Sequence, residues 1–329
     1  MRLAAALVLG ASLLAAGPAR AEAELSFLAF GDTGKETSWP ERVMPQYRVG
    51  EAMAREDRRD PVDALVLLGD NFYGHGLRDT TLVRRVRQNV AGPYCYFLML
   101  TRKGRGAFRD VCDLAPEQTH PVPFIAVLGN HDVGLGQGAS LQRRGIPRYV
   151  GNWLMPEAAR SYELGGGVSL IAYHSPLITD GAPATALERA LSESKGPWRI
   201  LAAHHPIANP GAGWHADDTE RVLAAIEAAG RPVQLFLGGH QHSLQVLRAP
   251  GAALHVVSGA GGADVRRISP TPAERLFAEA RHGFVRVDAT RDALDVTLLS
   301  LFGPLDRTAG PRAKFRVSPD GSVEPLALD

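Results

Sequence analysis

Seven short apolar runs constrain the fold of this chain more than any other feature: LSFLAF (25–30), DALVLL (63–68), PFIAVL (123–128), VSLIAY (168–173), WRILAA (198–203), VQLFL (233–237) and LHVVS (254–258). They are near-continuous rather than alternating, the pattern of strands covered on both faces. Helix-like segments lie between several of them, at 41–59, 78–90, 184–194 and 217–229, with another at 272–281. In DDTERVLAAIEAAG (217–230) an Asp or Thr offers an N-cap and Gly230 a stop. The stretches FVRVDAT (284–290) and ALDVTLLSL (293–301) read as an antiparallel pair joined by a tight turn. Strands alternating with helices, then late hairpins, predict a layered α/β domain. The segment 92–121 reads as loop.

The first 21 residues stand apart from this pattern. Arg2, an apolar stretch from Leu3 to Ala16 and the tripeptide ARA at 19–21 have the order of a secretory signal peptide, with cleavage after Ala21 or Ala23. The apolar part is short for a bilayer span; an uncleaved anchor is the alternative. The remainder, 22–329, is long enough for one large core and shows no repeat or obvious linker, so it is read as a single domain. Over the whole chain 36 basic and 35 acidic residues nearly cancel, which excludes a strong field for nucleic acid or anionic membrane. The two cysteines, Cys95 and Cys112, lie at no zinc-finger spacing. In an exported protein they are either a disulfide or two free thiols, and sequence alone leaves both open.

Five of the predicted strands end in polar residues able to hold metals. They are FGDTG with Asp32; GDNFY with Asp70 and Tyr73; GNHD with Asn130, His131 and Asp132; AAHHP with His204 and His205; and GGHQH with His240 and His242. Loops beyond the C-terminal ends of sheet strands are where α/β folds bind ligands. Each block alone reads equally as a turn or a surface histidine pair. Five in succession, each at a strand end, point to one site. The donors are carboxylate and phenol oxygen, amide oxygen and imidazole nitrogen with no thiolate, a set suited to iron, manganese or zinc. A carboxylate can bridge two such ions, and a pair clamps both the attacking and leaving oxygens of an in-line displacement.

The set GDTG, GDNFY, GNHD, AAHHP and GHQH resembles the calcineurin-like metallophosphoesterases, and Tyr73 narrows the likeness to the short, tartrate-resistant type of purple acid phosphatase. The resemblance spans about residues 25–245. It implies a β-sandwich flanked by helices, a four-layer α/β/β/α fold. It also implies hydrolysis of phosphate monoesters by a metal-bound hydroxide, with phosphodiesters or nucleotides as the alternative substrates. By resemblance the first metal, Fe(III), takes Asp32, Asp70, Tyr73 and His242. The second, Fe, Zn or Mn, takes Asp70, Asn130, His204 and His240. Many relatives carry Asp-x-His in the first block; GDTG does not, and Tyr73 is available to take that ligand's place. The family block also favours His204 over His205. His131 is expected beside the phosphate, with Asp132 either orienting it or shaping a turn. His215, in GAGWHADD, is a second expected substrate-facing histidine, and His75 is read as a surface loop residue. The implied partners are small phosphorylated substrates, without nucleic acid and without stable membrane insertion of the mature chain. The implied destination is secreted or periplasmic.

Overall fold

The computed structural model describes residues 23–36, 43–134, 136–179, 184–208 and 215–328. The expected leader, 1–21, lies outside the described residues. Strands β1 (Leu25–Phe30), β2 (Ala64–Leu67), β3 (Phe124–Ala126), β4 (Trp153–Leu154), β5 (Ala159–Gly165), β6 (Val168–Tyr173) and β7 (Trp198–Ala202) come first. They are followed by β8 (Leu235–Gly238), β9 (Leu244–Ala249), β10 (Ala252–Ser258), β11 (Glu274–Glu279), β12 (Gly283–Ala289), β13 (Leu294–Leu301), β14 (Ala309–Val317) and β15 (Val323–Leu326). One sheet runs β15-β14-β13-β12-β1-β2-β3-β4 and the other β11-β9-β10-β8-β7-β6-β5. In the first, β1 to β4 are parallel; in the second, β6, β7, β8 and β10 are parallel. Antiparallel strands close the remaining sides.

The alternation within each central strand explains the layers. Phe27, Ala29, Val66 and Ile125 of the first sheet pack against Leu170, Ala172, Ile200 and Leu237 of the second, forming the inner core. The residues between them face outward. Leu28, Phe30, Leu65, Leu67 and Phe124 are covered by helix α1 (Pro45–Arg59), by α2 (Leu82–Val86) and by the chain around Phe97 and α3 (Arg102–Phe108). Ile171, Tyr173, Leu201 and Phe236 of the second sheet are covered by α4 (Thr185–Glu193) and α5 (Ala216–Ala228). The four layers are therefore helix, sheet, sheet, helix, as the resemblance implied. Both faces of the central strands are buried, which is why their sequences lack polar alternation.

Two local expectations are corrected. Residues 272–281 are not helical: Glu274–Glu279 is a strand at the edge of the second sheet, pairing antiparallel with β9. The segment ERLFAEA has ordinary helix formers, but the edge of β9 offers unpaired N–H and C=O groups that this segment satisfies. Residues 92–121 are not plain loop either; they contain α3 and several single turns of helix. Cys95 and Cys112 are joined in a disulfide, with Cα atoms 5.3 Å apart, and the crosslink ties this segment to itself. A loop of 17 residues closed in this way stabilises by about 3 kcal/mol. The hairpin expected at 284–301 is present as β12 and β13. Among the described residues no helix is long and apolar enough to cross a membrane.

Candidate dinuclear metal site

The five blocks meet at one end of the two parallel strand sets. Asp32 follows β1, Asp70 and Tyr73 follow β2, Asn130 and His131 follow β3, His204 follows β7, and His240 and His242 follow β8. Cross-links between the loops fix their relative heights. The Asp32 N–H donates to the Gly69 carbonyl at 3.0 Å, and the Gly34 and Tyr73 N–H groups donate to Asp70 O and Gly34 O at 3.1 and 2.9 Å. Among the described residues, the non-glycine positions with positive φ are Asp32 (57°), Asp70 (52°) and His240 (64°). Left-handed backbone costs about 1–2 kcal/mol per residue. Its confinement to three expected ligands marks this as the place where the fold accepts strain to aim side chains.

The donor atoms form two triangles. In one, Tyr73 Oη lies 2.9 Å from Asp32 Oδ1 and 2.9 Å from His242 Nε2, which is 3.3 Å from the same Asp32 oxygen. In the other, Asn130 Oδ1 lies 3.0 Å from His204 Nε2 and 3.0 Å from His240 Nδ1, and the two imidazole nitrogens are 3.2 Å apart. Asp70 touches both: its Oδ1 lies 3.4 Å from His204 Nε2, and its carboxylate interacts with the Tyr73 hydroxyl. Neighbouring ligands around a six-coordinate ion with bonds of about 2.1 Å stand roughly 3 Å apart. Both triangles have that spacing.

The outer partners set the histidine tautomers. His204 Nδ1 faces the Leu68 carbonyl at 2.9 Å, and His242 Nδ1 faces the Asp264 carbonyl at 2.8 Å. A carbonyl only accepts, so both Nδ1 atoms carry the proton and both Nε2 lone pairs point into the site. The Asp32 carboxylate accepts from the His240 backbone N–H at 2.8 Å through Oδ2, which leaves Oδ1 for the triangle.

The electrostatics call for cations. Burial pushes the Asp70 carboxyl above its ordinary value despite His131 and His240 nearby. Burial, then the charges of Asp32 and Asp70, push the Tyr73 phenol well above its ordinary value. Burial drives His204 down to about 3. For His242 burial acts in the same direction, but the hydrogen bond and attraction to Asp32 outweigh it and raise the imidazole. A bound cation inverts this logic, favouring carboxylate, phenolate and neutral imidazole together. The residues present fit two metal ions.

Asp32, Asp70, His204 and His242 form a buried floor, while Asn130 is exposed and His131 and His240 are partly so. The site is thus open on the His131 side. His131 Nδ1 lies 3.1 Å from the Gly74 carbonyl and its Nε2 lies 4.0 Å from Asp70 Oδ2. The Gly74 carbonyl, not Asp132, orients this ring. Asp132 is fully buried and accepts from the N–H groups of Gly129, Asn71 and Phe72 and from Gln142 Nε2. It clamps the Asp70 loop to the Asn130 loop, which is the turn-shaping role of the two expected for it; burial and the Asp70 charge push its carboxyl up to about 7.

His205 is buried beside the second triangle, its ring 4.6 Å from that of His240, but its Nδ1 is engaged with Ser175 Oγ at 2.9 Å. His204 is the neighbour in contact with Asn130 and Asp70. His215 is exposed at the N-cap of α5, where its backbone N–H donates to Asp218 Oδ2 at 3.0 Å. His75 is exposed.

Arg85 was not foreseen. It is 3% exposed and braces both carboxylate loops, donating to the Gly34 carbonyl at 2.8 Å, the Tyr73 carbonyl at 3.3 Å and Asn89 Oδ1 at 3.0 Å. Nothing local distinguishes it among 36 basic residues. Likewise the supporting groups on His204, His242 and His131 are main-chain carbonyls, which leave no mark in a sequence.

The family profile of the calcineurin-like phosphoesterases matches residues 25–244. The chain belongs to that family. This calcineurin-like phosphoesterase is 23% identical over 318 residues to purple acid phosphatase 3 of Arabidopsis thaliana, covering 87% of this chain and 77% of that protein. It is 23% identical over 323 residues to purple acid phosphatase 17 of the same plant, covering 88% and 84%. Among solved structures it is similar to GAP50, the anchor in the inner membrane complex of Plasmodium (TM-score 0.62, 17% identity, 94% of this chain and 90% of that one). It is also similar to purple acid phosphatase PPD1 from seeds of yellow lupin, Lupinus luteus (TM-score 0.57, 17% identity, 90% and 54%). At those identities the structural likeness establishes the fold. Family and donor set together make this calcineurin-like phosphoesterase a dinuclear-metal hydrolase of phosphoric esters.

Proposed function

We propose that the chain is an exported acid phosphatase of the purple type, acting on phosphate monoesters after removal of residues 1–21, with 22–329 as one catalytic domain. The observation that carries this reading is the pair of three-donor triangles joined by Asp70, one of them containing a tyrosine. Asp32, Asp70, Tyr73 and His242 would hold Fe(III); Asp70, Asn130, His204 and His240 would hold Fe, Zn or Mn. A phenolate oxygen and two carboxylates suit a hard trivalent ion, and the second set, with two imidazoles and an amide, suits a divalent one. Bound there, the metals supply an acidified water as nucleophile and positive charge for the phosphate oxygens. Export is supported by the signal-like N-terminus and by the Cys95–Cys112 disulfide, which an oxidising compartment preserves.

The chain's own residues complete the chemistry. The Gly74 carbonyl keeps a proton of His131 on Nδ1, which leaves Nε2, 4.0 Å from Asp70 Oδ2, as the ring nitrogen available to a substrate. His131 donates to the phosphate in the transition state or passes a proton to the leaving alcohol oxygen. His215, exposed at the start of α5, takes the second substrate-facing position. His131→Ala is expected to lower kcat by on the order of 100-fold while both metals stay bound, since one transition-state contact is lost. Steady-state rates with metal content per chain check this; normal turnover removes His131 from the mechanism.

The reading as a whole is tested by colour. Protein purified without chelator and loaded with ferric iron should absorb broadly in the visible, because phenolate donates charge to Fe(III). Tyr73→Phe should lose that band at equal iron content. An unchanged band, or none in the wild type, removes Tyr73 from the ligand set. Rates on p-nitrophenyl phosphate against its bis-ester separate the monoesterase reading from a phosphodiesterase on the same centre.

A further inference from the structure

Asp32 and Tyr73 reach the first triangle from separate loops, and one junction sets the gap between them. The Gly34 carbonyl, two residues past Asp32, accepts from the Tyr73 N–H at 2.9 Å. The same carbonyl accepts from Nη2 of Arg85 at 2.8 Å, while Nη1 of Arg85 reaches the Tyr73 carbonyl at 3.3 Å. Nε of Arg85 donates to Asn89 Oδ1 at 3.0 Å, and Asn89 Nδ2 donates in turn to the Lys35 carbonyl and to Gln46 Oε1, each at 3.2 Å. Gln46, on α1, returns a bond to the Asn89 carbonyl at 2.7 Å. The main chain at 34–35 and at 73 is therefore gripped from α2 and α1 together. The rigid fork of a guanidinium lets one side chain hold two carbonyls and an amide at fixed separations. The carboxylate in ion-pair reach of Arg85 is Glu36, at 3.2 Å, which is half-exposed and shared with Arg84 at 2.6 Å. Burying a cation is costly, and here the donors are spent mainly on the ligand loops rather than on a buried acid.

We propose that Arg85 is a positioning residue for the first ion alone, holding Tyr73 at its distance from Asp32; the inference rests on the division of ligands proposed above. The second set of donors is held by a different device. Asp132 takes the N–H groups of Asn71 and Phe72 from the central loop and that of Gly129 from the Asn130 loop. Asp70 Oδ1 is fixed from that side too, accepting from the His131 N–H at 3.0 Å. Among the described residues, no hydrogen bond of Arg85 or Asn89 reaches Asn130, His204 or His240. The loop that carries Asp70 and Tyr73 thus has two clamps, one towards each triangle, and loosening Arg85 leaves the Asp132 clamp closed.

Metal content per chain tests this, measured on the full protein loaded with zinc and then dialysed at a chelator concentration that leaves wild type with both ions. Arg85→Lys keeps the charge and loses the fork. It is expected to retain one ion, because a partner that orients a ligand is worth roughly 10–100-fold in metal affinity. His204→Ala alone is expected to retain the other, and Arg85→Lys with His204→Ala to retain neither, since the two changes strike different ions. Asn89→Ala leaves the guanidinium in place and provides a second variant, expected to release one ion at a chelator concentration at least tenfold below that needed for wild type. Melting curves of the metal-free proteins accompany the counts: a merely structural role lowers the melting temperature and releases both ions together. Both ions retained in Arg85→Lys and Asn89→Ala, both lost in either, or one retained in the double variant overturns the proposal. A His204→Ala protein that holds both ions or neither overturns the division of ligands beneath it. Zinc gives no colour, so these counts stand apart from the visible band: a ferric wild type without that band sinks the purple reading and leaves this one to the counts.

Discussion

Asp70→Ala is expected to yield a folded protein that holds neither metal firmly and hydrolyses phosphate esters at least on the order of 1,000-fold more slowly. The Asp70 side chain is in contact with both triangles, through His204 on one side and Tyr73 on the other. On the proposed ligand assignment, losing it would remove one donor from each of the two sets. The fold is expected to survive because the surrounding strands are held by the inner and outer cores, not by this carboxylate. One local cost is foreseeable: the φ of 52° at this position is tolerated better by Asp or Asn than by Ala. Asp70→Asn is therefore the companion variant, keeping the backbone while removing the charge. Metal content per chain and a melting curve with and without chelator are the measurements. Two tightly held metals in both variants would show that Asp70 does not bridge.

Gly129→Ala is expected to cost on the order of 100-fold or more in kcat/KM with a smaller loss of stability, about 1–3 kcal/mol, the usual range for an overpacked site. A Cβ at this position would lie 2.2 Å from Asp70 Oδ1 and 2.3 Å from the Asp70 backbone N. Neither atom can yield: the carboxylate is aimed by the left-handed backbone at Asp70, and its Oδ1 accepts from the His131 N–H at 3.0 Å. The methyl group thus pushes on the Asp70 carboxylate and, through Asn130 next door, on the second triangle. A displacement of about 1 Å at a catalytic group is enough for a loss of this size. Gly106→Ala is the control, since a Cβ there meets nothing within 4 Å; it should leave activity unchanged. Wild-type turnover and full metal content in Gly129→Ala would mean that the two loops move apart freely, against the clamp formed by Asp132.

The candidate donors could be read before the fold was known because metal chemistry needs uncommon residues at strand ends. Asp32, Asp70, Tyr73, Asn130, His204, His240 and His242 each follow an apolar run, and glycine precedes or follows most of them. Local sequence also contained the central parallel strands and the β12–β13 hairpin, whose signals are short-range. It misread 274–279, where helix formers were recruited to the edge of β9, and it left Asp132 and the two cysteines undecided.

What the sequence by itself determined is therefore which residues are candidate ligands and the order in which they leave the sheets, since both depend on residue type and on strand periodicity. What only the tertiary structure decided is how those ligands are divided and held. The two triangles are set by contacts as distant in the chain as Tyr73 with His242 and Asn130 with His240. The tautomers are set by the carbonyls of Leu68, Asp264 and Gly74, and the loops are braced by Arg85. Main-chain carbonyls are the same in every residue, and a buried arginine looks like any other until its neighbours are known. Their roles arise from packing between segments far apart in sequence, and that is information no local pattern carries.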